Sequence, residues 1–124
     1  MIGAVLTGTV LTGAIAVLHG YIMVLEMFLW DTPRARKAFG TTAEFAKATK
    51  VLAANQGLYN GFLAAGLVWA LILGVPGVGQ GVAVFFLGCV VIAGIFGAAT
   101  ASPRILLVQA VPAALALIAL WAGV

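Results

Sequence analysis

The chain has 124 residues, of which 65% are hydrophobic and 7% charged, with a formal net charge of +3 and a mean hydropathy of +1.24. A soluble domain carries about 25% charged residues, so this composition excludes a water-exposed globular surface and predicts one domain whose surface meets lipid. One cysteine, Cys89, excludes an intramolecular disulfide and a multi-cysteine metal centre.

In chain order, the first predicted element is a membrane span over residues 2–30. A spanning helix needs about 20 mostly apolar residues. No Lys or Arg precedes the run, and it exceeds the roughly 7–15 residues of a signal-peptide core, so it reads as a retained span.

Between Arg34 and Lys50 the chain carries five bases, Arg34, Arg36, Lys37, Lys47 and Lys50, against one acid, Glu44. Thr32 before Pro33 predicts an N-cap with proline at the first helical position. Gly40 can close that short helix in a left-handed conformation. Thr41 and Glu44 have the spacing of a capping box, with Thr41 restarting a helix that runs on into the second span. The segment is therefore predicted to lie on the membrane as a short interfacial helix and a helical extension. Phe39 and Phe45 would face the lipid boundary while the basic side chains snorkel. A basic cluster beside a span points to anionic lipid headgroups as partners, not to nucleic acid.

Further spans are predicted over residues 51–75, 82–101 and 105–124. Pro76, Gly77, Gly79 and Gly81 predict a tight turn, and Ser102 before Pro103 repeats the cap-plus-proline signal. The predicted fold class is thus an all-α membrane protein: one domain of four transmembrane helices in an antiparallel up-down bundle. Lys and Arg favour the cytoplasmic side. The first loop holds five of them, the second none and the third Arg104, so the loop over 31–50 is predicted cytoplasmic and both termini outside. Trp30 and Trp121 fall at span ends, as interfacial aromatics do.

Polar residues inside spans are costly and tend to face a bundle interior. Here they are His19, Glu26, Asn55, Gln56, Asn60 and Gln109, with Tyr21, Tyr59 and Thr100 beside them. At about 1.5 Å per residue, Glu26, Asn55, Gln56 and Gln109 lie at one level, about 6–8 Å inside the cytoplasmic ends of their spans. His19 lies deeper, and Tyr59 and Asn60 approach its depth. His19 and Glu26 are seven apart, hence on one helical face; Asn55 with Tyr59, and Gln56 with Asn60, are four apart. Pro112 denies a hydrogen bond to the carbonyl of Val108 and predicts a kink beside Gln109. These residues are the candidate ligand-binding set, in a pocket in the cytoplasmic half of the bundle. The bland alternative is that buried amides simply join helices, at about 0.6 kcal/mol each. One acid costs more than such joining returns, so Glu26 is the most informative of the set. Gly57 and Gly61 form a GxxxG pair, flanked by Ala53 and Ala65, predicting close helix packing.

Several chemistries find no support. There is no phosphate-binding loop or zinc-helix motif, and a single His offers no transition-metal site. No serine lies near His19 in sequence, so a hydrolase triad is unsupported. No metal, cofactor or catalytic residue is predicted.

The stretch from His19 to Trp30, HGYIMVLEMFLW, and that from Asn55 to Leu67, NQGLYNGFLAAGL, resemble the hallmark segments of the bacterial family called domain of unknown function 1304. The resemblance extends over nearly the whole chain. It implies a small four-span protein of the bacterial inner membrane and brings no assigned activity. From the residues themselves, the leading expectation is a protein that binds or transports a small solute, with Glu26 as its ionisable centre. Four helices enclose little space, so transport would call for a homo-oligomer. The alternatives are a membrane enzyme using Glu26 or His19 in proton transfer, and an accessory subunit in which the polar set only joins helices.

Overall fold

A computed structural model of the chain describes residues 2–124, with side chains from Leu6 onward. Everything regular among the described residues is helical. The elements are α1 (Ile2–Phe28), α2 (Pro33–Phe39), α3 (Ala43–Ala48), α4 (Lys50–Leu73), α5 (Gln80–Thr100), a π-helical turn (Leu106–Ala110) and α6 (Val111–Trp121). Three helices, with apolar stretches over Leu6–Phe28, Lys50–Leu73 and Gln80–Thr100, are long and apolar enough to cross a membrane. The last segment, Leu106–Trp121, is apolar but shorter. At about 1.5 Å per residue it reaches about 24 Å, against a hydrocarbon core of about 30 Å.

The chain divides into two compact units. One comprises the residues up to Val17 together with Leu63–Val124. Its core gathers Ile15 and Ala16 from α1, Leu67 and Ala70 from α4, Ala83, Leu87 and Val90 from α5, and Ala113, Ala116 and Leu120 from α6. The many alanines have a physical reason. Small side chains let helix backbones approach closely and join by van der Waals contact, the kind of packing that serves helices in a bilayer, where lipid tails are as apolar as leucine. At one end of this unit the backbone N–H of Gly8 donates to the Val124 carbonyl at 3.0 Å. There too the Thr9 hydroxyl donates to the Val75 carbonyl at 2.9 Å, and Gln80 Nε2 to the Leu120 carbonyl at 3.0 Å. The start of α1, the α4–α5 turn and the end of α6 are thereby tied together.

Pro112 acts as its chemistry requires. Its ring would strike the carbonyl of Val108 in a regular α-helix. The chain widens instead into the π turn, in which the Val111 N–H reaches back to the Leu106 carbonyl. Such a turn absorbs the proline without breaking the helix. The predicted tight turn lies between Leu73 and Gln80 and contains a cis Val75–Pro76 bond.

The other unit is Leu18–Phe62. Its caps follow the predicted pattern at α2: Thr32 Oγ1 accepts from the Ala35 N–H, Pro33 opens the helix, and Gly40 closes it at φ 68. At α3 the pattern shifts by one residue. Thr42, not Thr41, is the N-cap, accepting from the Phe45 N–H at 3.1 Å. The cause is the end of α2. The Thr41 N–H is drawn back to the Arg36 carbonyl at 3.0 Å, so Thr41 completes the α2 cap and Thr42 is the first extended residue. Glu44 then stands one position too early for a capping box. The single interfacial helix with an extension becomes two short helices, with α3 divided from α4 only at Thr49. There the ladder persists, from Thr49 N–H to the Phe45 carbonyl at 3.0 Å and from Ala53 N–H to the Thr49 carbonyl at 2.8 Å.

Trp30 anchors this segment. It is buried with Ala46 and Ala53, and its ring lies 4.9 Å from that of Phe39. Its Nε1–H donates to Thr49 Oγ1 at 3.0 Å. The predicted interfacial tryptophan is therefore a packed strut between the end of α1 and the α3–α4 joint. Beside it, Lys50 Nζ lies 3.6 Å from Asp31 Oδ2 in an exposed ion pair. Such pairs contribute little in water.

Candidate functional site

The site is built within the Leu18–Phe62 unit, where the last turns of α1 meet the first turns of α4. Glycine permits the approach. A Cβ on Gly57 would stand 2.6 Å from Met27 Cγ, 3.0 Å from Glu26 Cβ and 3.1 Å from the Met23 carbonyl. One turn on, a Cβ on Gly61 would stand 2.7 Å from Met23 Sδ. The GxxxG pair thus serves the close packing its spacing predicts.

That contact brings Glu26 to Asn60. Asn60 Nδ2 donates to Glu26 Oε1 at 2.5 Å and also to the Gln56 carbonyl at 3.2 Å, one turn back on α4. The second bond fixes the amide against its own helix, so the first is aimed. Glu26 is 9% exposed, and His19, seven residues earlier on the same helical face, is fully buried. About 10 Å of helix axis separates the two. An apolar helix interior thus holds an acid and an imidazole in one line, with an amide on the acid. Asn60 can donate but carries no charge, so it orients the carboxylate without neutralising it.

The other predicted residues are placed differently. The side chains of Asn55, Gln56 and Tyr59 are exposed, and Gln56 contributes its backbone carbonyl to the Asn60 bond. Tyr59 is 60% exposed and packs edge-on against Phe62, with ring centroids 5.7 Å apart. Tyr21 is also exposed. Gln109, half-buried in the π turn, and Thr100, exposed and donating to the Phe96 carbonyl, belong to the other compact unit. An open recess of about 280 Å³ is lined by Leu6, Thr7, Val10 and Leu11 and includes none of the predicted site residues. Among the described residues, no three His, Cys, Asp or Glu side chains gather to hold a metal ion.

Sequence reasoning missed Thr49 as the partner of Trp30, and Gln80 as a cap on the Leu120 carbonyl. Thr49 lies four residues after Phe45, and its hydroxyl donates to that carbonyl at 2.7 Å. That spacing was the available signal for a threonine bonded to its own helix.

The family described as Protein of unknown function (DUF1304) matches residues 13–121, which include α4, α5, α6 and most of α1. The chain belongs to this family. As a DUF1304 protein it carries the Glu26–Asn60 pair, the Gly57–Gly61 contact and the Trp30–Thr49 strut all within the matched residues. No curated protein and no solved structure matches the chain. The function of this DUF1304 protein must therefore be argued from the site.

Proposed function

We propose that this DUF1304 protein is a small-solute binding or transport protein of the bacterial inner membrane, with Glu26 as its binding centre. The observation that carries the reading is the Asn60 amide held 2.5 Å from Glu26 Oε1 inside an apolar contact. Intramembrane ionisable groups are retained where they act on ions, protons or solutes. Asn60 occupies one carboxylate oxygen, and the acid's remaining acceptor capacity suits a proton or a solute bearing a cationic or N–H donor group. His19, buried on the same face, is the group through which a proton would continue along α1.

The membrane arrangement in this reading has four spans, with residues 105–124 as the fourth, in a single domain over residues 1–124. The ties among Gly8, Val75, Gln80 and the C-terminal residues support an up-down path, since they join alternate helix ends. Both termini lie outside and residues 31–50 in the cytoplasm, following the Lys and Arg distribution. Arg34, Lys37, Lys47 and Lys50 are exposed, as are Phe39 and Phe45, a combination suited to anionic headgroups.

The test uses purified protein in proteoliposomes with a pH-sensitive dye trapped inside. Small organic cations are added outside. The proposal expects solute-dependent proton movement that Glu26→Gln abolishes. Equal movement with Glu26→Gln, or none above empty liposomes, counts against it.

A further inference from the structure

The exposed face of α4 carries hydrogen-bonding groups that lipid cannot serve. Asn55 and Tyr59, four apart, lie on one side of the helix with Leu52 and Phe62, and all four side chains are exposed. From Lys50 at the start of α4, Asn55 lies about 8 Å and Tyr59 about 14 Å along the axis. The headgroup layer takes up about 6 Å on each side of the bilayer. Both groups therefore fall within hydrocarbon if α4 crosses the membrane. Among the described residues neither side chain has a hydrogen-bond partner, since the polar contacts of this stretch run from Asn60 to Glu26 and to the Gln56 carbonyl. A carboxamide in hydrocarbon without a partner is costly.

We infer that this face of α4 is the interface with a second copy of the same chain. The face is self-complementary. Copies inserted with the same topology are related by a two-fold axis along the membrane normal, and residues near that axis meet their own counterparts. Only groups that both donate and accept can satisfy themselves there. A carboxamide and a phenol do so, and Leu52 and Phe62 supply apolar contact around them. No charge lies on the face. Lys50, seven residues before Gly57 and so on the side of α4 turned toward α1, faces the Asp31 carboxylate of its own chain at 3.6 Å, away from this face. The interface leaves Glu26 untouched, because Glu26 is buried against Gly57 on the opposite side of α4 from Asn55. The inference rests on the proposed membrane placement but not on the proposed role of Glu26.

The test is disulfide trapping in native membranes. In a Cys89→Ala background, Asn55→Cys and Tyr59→Cys are oxidised alongside Val24→Cys, an exposed position on α1. Covalent dimers at 55 and 59 but not at 24 are expected. No dimer at either position, equal trapping at 24, or trapping only to an unrelated protein overturns the inference. A chain released from membranes by carbonate overturns it as well. Energy transfer between labelled chains in liposomes gives a second reading. Asn55→Leu should weaken association roughly threefold if the amides pair, and unchanged association overturns that pairing. Glu26→Gln should trap as the parent does, so failure of the dimer and failure of the Glu26 reading are separable.

Discussion

Asn60 on α4 reaches Glu26 on α1 with a 2.5 Å hydrogen bond while the same amide nitrogen lies 3.2 Å from the Gln56 carbonyl. The pair depends on the glycines beside it, because a side chain at position 57 would hold the two helices apart.

That dependence predicts unequal costs at the two glycines. A Cβ at Gly57 meets Glu26 Cβ and the Met23 carbonyl as well as Met27, so backbone must shift. Gly57→Ala should destabilise by about 1–3 kcal/mol and disturb the Glu26–Asn60 bond. At Gly61 the nearest atom is the Met23 sulfur, and a thioether adapts readily. Gly61→Ala should cost markedly less. Melting temperatures in detergent check this, and equal losses would contradict it.

The Trp30 strut predicts a measurable coupling. Trp30→Phe keeps the apolar ring but removes the donor to Thr49 Oγ1 at 3.0 Å. A loss of about 0.5–1.5 kcal/mol is expected. Thr49→Val should lose a similar amount. The double variant should lose less than the sum, as a double-mutant cycle of melting temperatures would reveal.

The shifted cap at α3 separates two adjacent threonines. Thr42→Ala removes the acceptor for the Phe45 N–H and should cost about 0.5–2 kcal/mol. Among the described residues Thr41 Oγ1 is buried without a hydrogen-bond partner, so Thr41→Val should be neutral or stabilising. Hydrogen exchange at the Phe45 amide distinguishes them: faster in Thr42→Ala and unchanged in Thr41→Val. An unchanged Phe45 amide in Thr42→Ala, with faster exchange at the Glu44 amide in Thr41→Val, would place the cap at Thr41.

Ala38 is exposed on α2 and reports on topology. In a Cys89→Ala background, Ala38→Cys should react with an impermeant thiol reagent only after the membrane is opened. Labelling from outside intact cells would reverse the orientation inferred from the Lys and Arg bias.

The helices and their punctuation were legible because they depend on nearest neighbours. Thr32 with Pro33 starts α2 and Gly40 ends it, while the kink predicted at Pro112 is met instead by a π turn over Leu106–Ala110. The cap at α3 was misread by one residue because a Gly40 closure consumes the next N–H, a geometric effect that residue spacing does not encode. At the candidate site, helical phase put Glu26 and His19 on one face, and both are buried. The same phase argument could not tell which of the two polar rows on α4 faces α1. Gly57 decides it, because only glycine allows that approach. The row containing Asn60 therefore meets Glu26, and the row containing Asn55 and Tyr59 turns outward. The Trp30–Thr49 bond joins residues 19 apart and lay beyond any periodicity.

The central claim is that Glu26 binds solute and does not merely join two helices. Glu26→Gln keeps an oxygen to accept from Asn60 Nδ2 and removes only the ionisable group. The decisive measurement is the melting temperature of both forms in detergent, with and without a small organic cation that drives flux in the parent. The account predicts that the unliganded forms differ by less than about 4 °C. The cation should raise the melting temperature of the parent and leave Glu26→Gln unchanged, since a ligand stabilises only the form that binds it. An equal rise in both forms would contradict the account and reduce the Glu26–Asn60 pair to a contact between helices.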